Sequence, residues 1–139
     1  MTLSGRVIAP GSAAGPAMVL GAPLSLWGGI DPATGRIIDV HHPQAGACVA
    51  GTILVMPAAR GSSSSASVLA EAARAGVAPL GIILGEPDLI LAIGAAVAEE
   101  LYAIRLPIVV APEAIAAIRD AATVRLAADG ATGVVAVEG

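Results

Sequence analysis

Short apolar runs alternate with turn-forming pairs over roughly the first fifty residues of the chain. The apolar runs lie at residues 6–8, 17–20 and 37–40. The pairs that separate them include Pro10-Gly11, Gly15-Pro16, Gly28-Gly29 and Asp31-Pro32. Because runs of this length bounded by Gly and Pro are typical of strands and exposed connections, we expect a β-rich N-terminal half.

The pattern changes at Thr52, where continuous apolar runs begin to alternate with longer amphipathic segments. The apolar runs predict buried strands at residues 52–56, 80–84 and 108–111. Between them the spacing predicts one helix that ends near residue 75 and another over residues 88–102. A short helix at 113–120 and strands at 124–127 and 133–137 complete the prediction. Buried strands joined by helices form parallel sheets, so we expect an α/β fold with a parallel βαβαβ C-terminal half.

The composition is that of one domain with a core of small aliphatic side chains. The 139 residues are 56% hydrophobic, yet they include 17 Gly, one Trp, one Tyr and no Phe. The most apolar stretch, residues 89–98, is flanked by acidic residues and is too short to span a membrane. The N-terminus has no basic segment followed by an apolar run, so we expect a cytoplasmic protein with a single domain over residues 1–139.

The charged residues and the cysteine count exclude several kinds of site. The net charge is -4, and the seven basic residues are all Arg and are spread along the chain, which disfavours nucleic-acid binding. Without Lys, the chain cannot form a Schiff base or complete a P-loop. The single cysteine, Cys48, cannot form an internal disulfide, nor can it hold an iron–sulfur cluster or structural zinc alone.

The motif Arg60-Gly61-Ser62-Ser63-Ser64-Ser65 lies between a predicted buried strand and a predicted helix. The carboxyl end of a parallel strand is where open α/β sheets bind ligands. The unpaired N–H groups of a helix N-terminus carry partial positive charge and bind a carboxylate, a phosphate or a developing oxyanion. Helix capping alone needs only one serine, so the run of four favours a functional role.

The side chains of this motif suit an anionic substrate. Arg60 is a candidate for a forked contact with a carboxylate, and Gly61 lets the backbone approach a ligand closely. We expect Ser62 and Ser63 at or just before the N-cap, with the Ser62 hydroxyl beside the ligand and Ser63 as a further substrate contact. A serine base needs activation, for which the motif offers only Arg60 and the helix N-terminus. We therefore expect that another component completes the active site.

Two further motifs have both structural and functional interpretations. Adjacent side chains diverge on a strand, so His41-His42-Pro43 favours one surface histidine and one hydrogen-bonding histidine over a metal site. Trp27-Gly28-Gly29 is typical of a glycine-rich connection, but Trp27 is equally a candidate to face a ligand or a partner. The sequence contains no Gly-x-Ser-x-Gly elbow or Ser-His-Asp order that would support a hydrolase.

The motifs follow one another in a recognisable order. They are Pro23-Leu24-Ser25-Leu26-Trp27-Gly28-Gly29-Ile30-Asp31-Pro32, Gly35, Ile38-Asp39, His41-His42-Pro43, Val49-Ala50-Gly51, the serine-rich motif, Glu86-Pro87 and Ala98-Glu99-Glu100-Leu101. This order, from about residue 5 to residue 110, closely resembles the small subunit of the aconitase X family. Because several separate motifs agree, the resemblance is far more specific than any one of them.

The resemblance implies a swivelling β/β/α domain, equivalent to the mobile domain of aconitases. It implies docking on a larger subunit that carries an iron–sulfur cluster on its own cysteines, with no cluster bound by this chain alone. Such complexes are hydro-lyases that remove water from small hydroxy acids, and known members act on cis-3-hydroxy-L-proline or on phosphomevalonate. Neither subunit is expected to turn over alone.

The resemblance also implies a role for Ser62, which matches the family's catalytic serine, the base toward a carbon-bound proton. In ordinary aconitases an Arg that helps to hold the substrate follows this motif, whereas this chain has Ser64 there. Arg60 and the helix N-terminus are therefore the candidate substitutes.

The substrate and the role of the chain have alternatives. The His41-His42-Pro43 version of its segment resembles bacterial hydroxyproline-processing members, and the few basic residues disfavour a phosphorylated substrate, so we expect cis-3-hydroxy-L-proline. The alternatives are a phosphomevalonate dehydratase small subunit and a non-catalytic swivel that only binds an anion. A self-sufficient homo-oligomeric enzyme is disfavoured because the chain has neither cluster ligands nor Lys.

Overall fold

A computed structural model describes residues 1–138 of the chain, and a closed β-barrel forms their centre. The barrel strands are β1 (Thr2–Ala9), β2 (Gly11–Val19), β4 (Ile53–Met56), β6 (Gly81–Leu84), β7 (Ile108–Val110), β8 (Thr123–Ala128) and β9 (Thr132–Glu138). Two short strands, β3 (Leu24–Ser25) and β5 (Ala59–Arg60), pair with each other outside the barrel. The helices are α1 (Ser65–Arg74), α2 (Leu89–Tyr102) and α3 (Pro112–Ala117).

The strand order around the barrel is β1-β7-β6-β4-β2-β8-β9, and β1 closes the ring by pairing with β9. Strands β2, β4, β6 and β7 are parallel to one another, while β1, β8 and β9 form antiparallel pairs. The predicted α/β class and the parallel C-terminal half are confirmed. The parallel sheet also includes β2 from the N-terminal half, so the two halves share one sheet.

Burial along the strands follows their place in the barrel. All four residues of β4 and of β6 are buried, because helices or loops cover one face and the barrel interior covers the other. In β8, buried and exposed residues alternate, since one face of that strand meets solvent. The helices α1 and α2 pack closely at Gly94, where a Cβ atom would come within 2.9 Å of the Ala66 carbonyl oxygen. This close packing sets the position of the α1 N-terminus.

Residues 26–52 form a segment of loops and turns, which we name the loop lobe. The expected strand over residues 37–40 is wrong: the lobe contains only the isolated antiparallel bridges Ile30–Ile37 and Arg36–Cys48. Ile37 is buried, but Ile38 and Val40 are exposed and have no neighbouring strand. Of the apolar residues at 37–40, Ile37 is thus anchored in the core, and the run is not part of a sheet.

The third helix is shorter than predicted. It ends at Ala117 instead of residue 120, because Ile118 leaves the helical conformation, with φ -88° and ψ 127°, and buries its side chain. The Asp120 carboxylate then accepts a hydrogen bond from the Val19 backbone N–H at 2.9 Å, which ties this turn to β2. Among residues 1–138, no helix combines the length and the hydrophobicity needed to cross a membrane.

Candidate functional site

The serine turn, residues 60–65, lies at the edge of the barrel where the parallel strands end. From the end of β4 the chain passes through Pro57 and β5 into the turn and then into α1. The connection after β6 reaches the same edge, where the Gly85 backbone N–H donates to the carbonyl oxygens of Met56 at 3.3 Å and Pro57 at 3.0 Å. The predicted strand-to-helix position of the motif is confirmed.

Gly61 allows the serine turn to lie directly against β3. The parallel pairing of β3 with β5 places Ser25 opposite Arg60. Gly61 has a φ of +125°, a backbone conformation that residues with a side chain rarely adopt. A Cβ atom at this position would collide with the Ser25 hydroxyl. The glycine is therefore needed for close packing between the serine turn and β3. That its backbone also approaches a ligand closely stays a prediction.

The N-cap of α1 is Ser64, so Ser62 and Ser63 lie just before the N-cap, as predicted. The Ser64 side chain makes no capping hydrogen bond. Instead, the Ser62 Oγ accepts a hydrogen bond from the Ser64 backbone N–H at 3.1 Å, and the Ser62 carbonyl oxygen accepts one from the Ser65 N–H at 3.0 Å. Ser62 thus satisfies a donor of the helix N-terminus through a local turn, which shifts the formal cap along the chain.

The environment of the Ser62 hydroxyl favours negative charge on its oxygen. The oxygen accepts a backbone N–H at the positive end of a ten-residue helix, and both features stabilise an alkoxide relative to the neutral hydroxyl. Ser62 is half-buried, and its neighbours Gly61 and Ser63 are exposed. Within residues 1–138, no carboxylate or imidazole hydrogen-bonds to this hydroxyl. Among the described residues, the Ser64 N–H and the helix N-terminus are therefore the groups that stabilise this oxygen.

Arg60 and Ser63 are both exposed on the serine turn. In the part of the chain that the structure describes, the ion pairs are formed by Arg74 and Arg105, and no carboxylate pairs with the Arg60 guanidinium. The Ser63 side chain likewise makes no hydrogen bond to the described residues. The turn therefore brings together a cation, two hydroxyls and a helix N-terminus, as the motif predicted.

Two further serines attach the loop lobe to the turn, and no role of this kind was expected for either of them. The Ser65 Oγ, which is buried, accepts a hydrogen bond from the Trp27 backbone N–H at 3.1 Å. The Ser25 Oγ donates to the Trp27 carbonyl oxygen at 3.0 Å. Both peptide groups of Trp27 are held by hydroxyls, while its side chain remains 59% exposed. A serine run gives no sign of such a contact, because it joins residues 38 positions apart.

Replacement of Ser65 by Ala is expected to lower the free energy of unfolding by about 1–3 kcal/mol. The variant leaves the partly buried Trp27 N–H without its acceptor, and an unsatisfied buried donor costs about that much. Urea unfolding followed by Trp27 fluorescence measures the change. Ser67→Ala, at an exposed position of the same helix, is the matched control. Equal midpoints for the two variants would contradict the assigned contact.

The two histidines divide as predicted into one exposed and one hydrogen-bonded residue. His41 is exposed, whereas His42 is buried and accepts a hydrogen bond at Nδ1 from the Gln44 backbone N–H at 3.0 Å. Its Nε2 must then carry the proton and donate to the Ala22 carbonyl oxygen, also at 3.0 Å. His42 therefore fastens the loop lobe to the chain just before β3.

The described residues offer no metal site. Over residues 1–138, no three His, Cys, Asp or Glu side chains lie close enough together to hold an ion. The Cys48 thiol is partly buried and donates to the Thr34 carbonyl oxygen at 3.4 Å. An iron–sulfur cluster does not fit these residues.

Comparisons with known proteins relate nearly the whole chain to one family of domains. A profile of the aconitase X swivel domain matches residues 2–137. Cis-3-hydroxy-L-proline dehydratase of Pseudomonas aeruginosa is 48% identical over 103 residues, which are 74% of this chain and 18% of that protein. Phosphomevalonate dehydratase small subunit of Methanothermobacter thermautotrophicus is 40% identical over 98 residues, which are 70% of this chain and 75% of that one.

The fold matches a solved structure over its whole length. The crystal structure of Thermococcus kodakaraensis aconitase X in its holo form superposes with a TM-score of 0.88 and 32% sequence identity, covering 100% of this chain and 99% of that chain. The match to the hydroxyproline dehydratases, by contrast, spans less than a fifth of their length. The profile, the relatives and the shared fold together establish that the chain belongs to the aconitase X swivel-domain family.

Proposed function

We propose that the chain is the small subunit of a dehydratase that removes water from a small hydroxy acid. The observation that carries the proposal is the Ser62 hydroxyl, which accepts a backbone N–H at the α1 N-terminus on the exposed edge of the parallel strands. Relatives of this domain are named as dehydratases, which fits a serine base and a partner that completes the site.

Dehydration removes a proton from one carbon and a hydroxyl group from its neighbour, and the electrons of the broken C–H bond form the new double bond. A base outside the described residues first takes the proton of the Ser62 hydroxyl. The resulting alkoxide takes the proton from carbon, which restores the serine hydroxyl, and the proton held by the outside base passes to the departing hydroxyl to give water. The Ser64 N–H and the helix N-terminus stabilise the alkoxide before this transfer. The departing hydroxyl needs an acid, and an iron–sulfur cluster held by the cysteines of the large subunit would supply it as a Lewis acid.

The remaining groups of the serine turn are proposed to bind the substrate. Arg60 is exposed and unpaired among the described residues, so its guanidinium is free to fork onto a carboxylate. Ser63, also exposed, would donate a hydroxyl hydrogen bond to the same anion. Gly61 is exposed, and we propose that the absence of a side chain lets its backbone approach the substrate closely.

We propose that the substrate is cis-3-hydroxy-L-proline. We also propose that the complex works in the cytoplasm. The cis-3-hydroxy-L-proline dehydratase from Pseudomonas aeruginosa is 48% identical and the one from Hypocrea jecorina 40% identical, compared with 36–42% for six phosphomevalonate dehydratase small subunits. Arg60 is the one basic residue of the serine turn, which suits a single carboxylate. Phosphomevalonate is the second candidate, because a helix N-terminus also accepts a phosphate.

Reconstitution tests the substrate. The chain is co-expressed with candidate cysteine-bearing large subunits, and the purified complexes are assayed with cis-3-hydroxy-L-proline and with phosphomevalonate. We expect kcat/KM for hydroxyproline to exceed that for phosphomevalonate by about tenfold or more, since the turn lacks a second cation for the phosphate. A preference for phosphomevalonate would overturn the assignment of substrate, and no dehydration of either compound by any complex would overturn the class of reaction.

A further inference from the structure

Three apolar side chains of the loop lobe are exposed to solvent. They are Trp27, Ile38 and Val40, with exposed fractions of 59%, 51% and 80%, and we name them the lobe ridge. Large apolar side chains exposed this far are ordinary when single, but three of them within residues 27–40 of one lobe make that lobe a candidate interaction surface.

The lobe ridge stands on a fixed support. Ile30 and Ile37 form an antiparallel bridge and are both buried in the core. The Ile38 backbone N–H donates to the carbonyl oxygen of Gly29 at 2.8 Å, and Gly29 is only two residues from Trp27 in the chain. The inward residues therefore hold the outward ones in place, and the ridge cannot fold back into the core without breaking these contacts.

The lobe ridge is attached to the serine turn. The Trp27 N–H donates to the Ser65 Oγ at 3.1 Å, and Ser25, which holds the Trp27 carbonyl group, lies against Gly61. A body that covers Ser62 to complete the active site would therefore lie next to the Trp27 side of the lobe. Aromatic residues of this kind commonly serve as anchors in protein interfaces.

The relatives indicate what covers the ridge. In the hydroxyproline dehydratases the matched domain is only 18% of the protein, so a body several times larger accompanies it there. Other relatives carry the name small subunit, which requires a large one. We propose that the lobe ridge is the docking surface for the large subunit and that its bond to Ser65 sets the position of the serine turn against that partner. This inference rests on the proposed function.

Exposed apolar residues elsewhere provide a matched control. Leu101 is 65% exposed near the C-terminal end of α2. Since α2 runs back from the carboxyl edge of the sheet after β6, Leu101 lies toward the opposite edge from the serine turn. It is therefore expected to stay in solvent in the complex.

The test compares Val40→Asp with Leu101→Asp in binding to the large subunit, measured by calorimetry. Val40→Asp is expected to weaken binding by about thirtyfold or more, because a carboxylate would be buried at the interface, and Leu101→Asp by less than about twofold. Circular dichroism and urea midpoints close to those of the parent chain show that both variants fold. Equal affinities of the two variants would overturn the proposal.

A second measurement follows the ridge without changing it. Because Trp27 is the only Trp, the chain labelled with 5-fluorotryptophan has one ¹⁹F resonance. The resonance is expected to shift and to lose its sensitivity to solvent D₂O when unlabelled large subunit is added. An unmoved resonance, or a dimer of this chain that Val40→Asp disrupts while large-subunit binding is intact, would contradict docking at the ridge. Loss of binding in Val40→Asp alongside normal turnover in the Ser62→Ala complex would instead overturn only the proposed function.

Discussion

Replacement of Ser62 by Ala is expected to lower kcat of the reconstituted dehydratase by about 10²–10⁴-fold, the usual contribution of a general base. The Ser62 hydroxyl accepts the Ser64 N–H and is only half-buried, whereas Ser65, whose hydroxyl also accepts a backbone N–H, is buried and cannot reach a substrate. Assembly should be unaffected, because Ser62 is half-buried within its own turn and does not hold the loop lobe.

The Ser62→Ala change also removes a capping interaction, so its two roles must be separated. Loss of a side-chain cap costs about 1 kcal/mol. Ser62→Asn keeps an acceptor for the Ser64 N–H but lacks the hydroxyl, and it is expected to be as stable as the parent chain and as inactive as Ser62→Ala. Ser67→Ala, on an exposed position of α1, is expected to retain full activity. Near-normal turnover in either Ser62 variant would end the assignment of the base.

Replacement of Gly61 by Ala has the second largest expected effect. The φ of +125° makes any side chain strained, which costs about 1–3 kcal/mol, and the new Cβ atom would strike the Ser25 hydroxyl. Either the Ser25 hydroxyl rotates and loses its bond to the Trp27 carbonyl oxygen or the turn moves away from β3; since the Ser25 Cβ atom would still lie 3.1 Å away, we expect the turn to move and to carry Ser62 with it. A misplacement of about 1 Å lowers turnover by about 10²-fold. The measurements are the urea midpoint of the chain and kcat of its complex.

Gly76→Ala is the matched control for this prediction. Gly76 follows α1 with a φ of +76°, so Ala at this position has a strained backbone. No atom lies within 4 Å of the position that its Cβ atom would take, so Ala does not collide with a neighbour, and the position is far from the serine turn. It should lower stability and leave kcat unchanged. The double variant Ser25→Ala/Gly61→Ala should recover part of the stability lost by Gly61→Ala. Parental kcat in Gly61→Ala would show that the close packing does not position Ser62.

The parallel part of the fold could be predicted because its signal is local. The buried strands β4, β6 and β7 are continuous apolar runs, and the helices between them are long enough to identify from periodicity. Closure of the barrel depends on pairs such as Thr2 with Ala136, at opposite ends of the chain, and no local pattern encodes such a pairing. The strand expected at residues 37–40 failed for a related reason: an apolar run alone does not show whether a partner strand is present.

The candidate site, too, could be predicted from the sequence only in part. The position of the serine turn follows from the strand before it and the helix after it, and both could be predicted. The roles of Ser25 and Ser65 depend on contacts with Trp27 and Gly61, which only the folded chain brings together. The exposure of Trp27 could not be decided from the sequence, because a glycine-rich connection and an interaction surface have the same composition.

The most direct test of the central claim, that this chain supplies the base of a shared active site, is a mixing experiment. A fixed, limiting amount of the large subunit is combined with saturating small subunit in which the fraction of Ser62→Ala chain rises from zero to one, and dehydration is measured. If the two forms bind equally, activity should fall linearly with that fraction to near zero, and the large subunit alone should be inactive. Activity that is independent of the fraction, or present without this chain, would contradict the account.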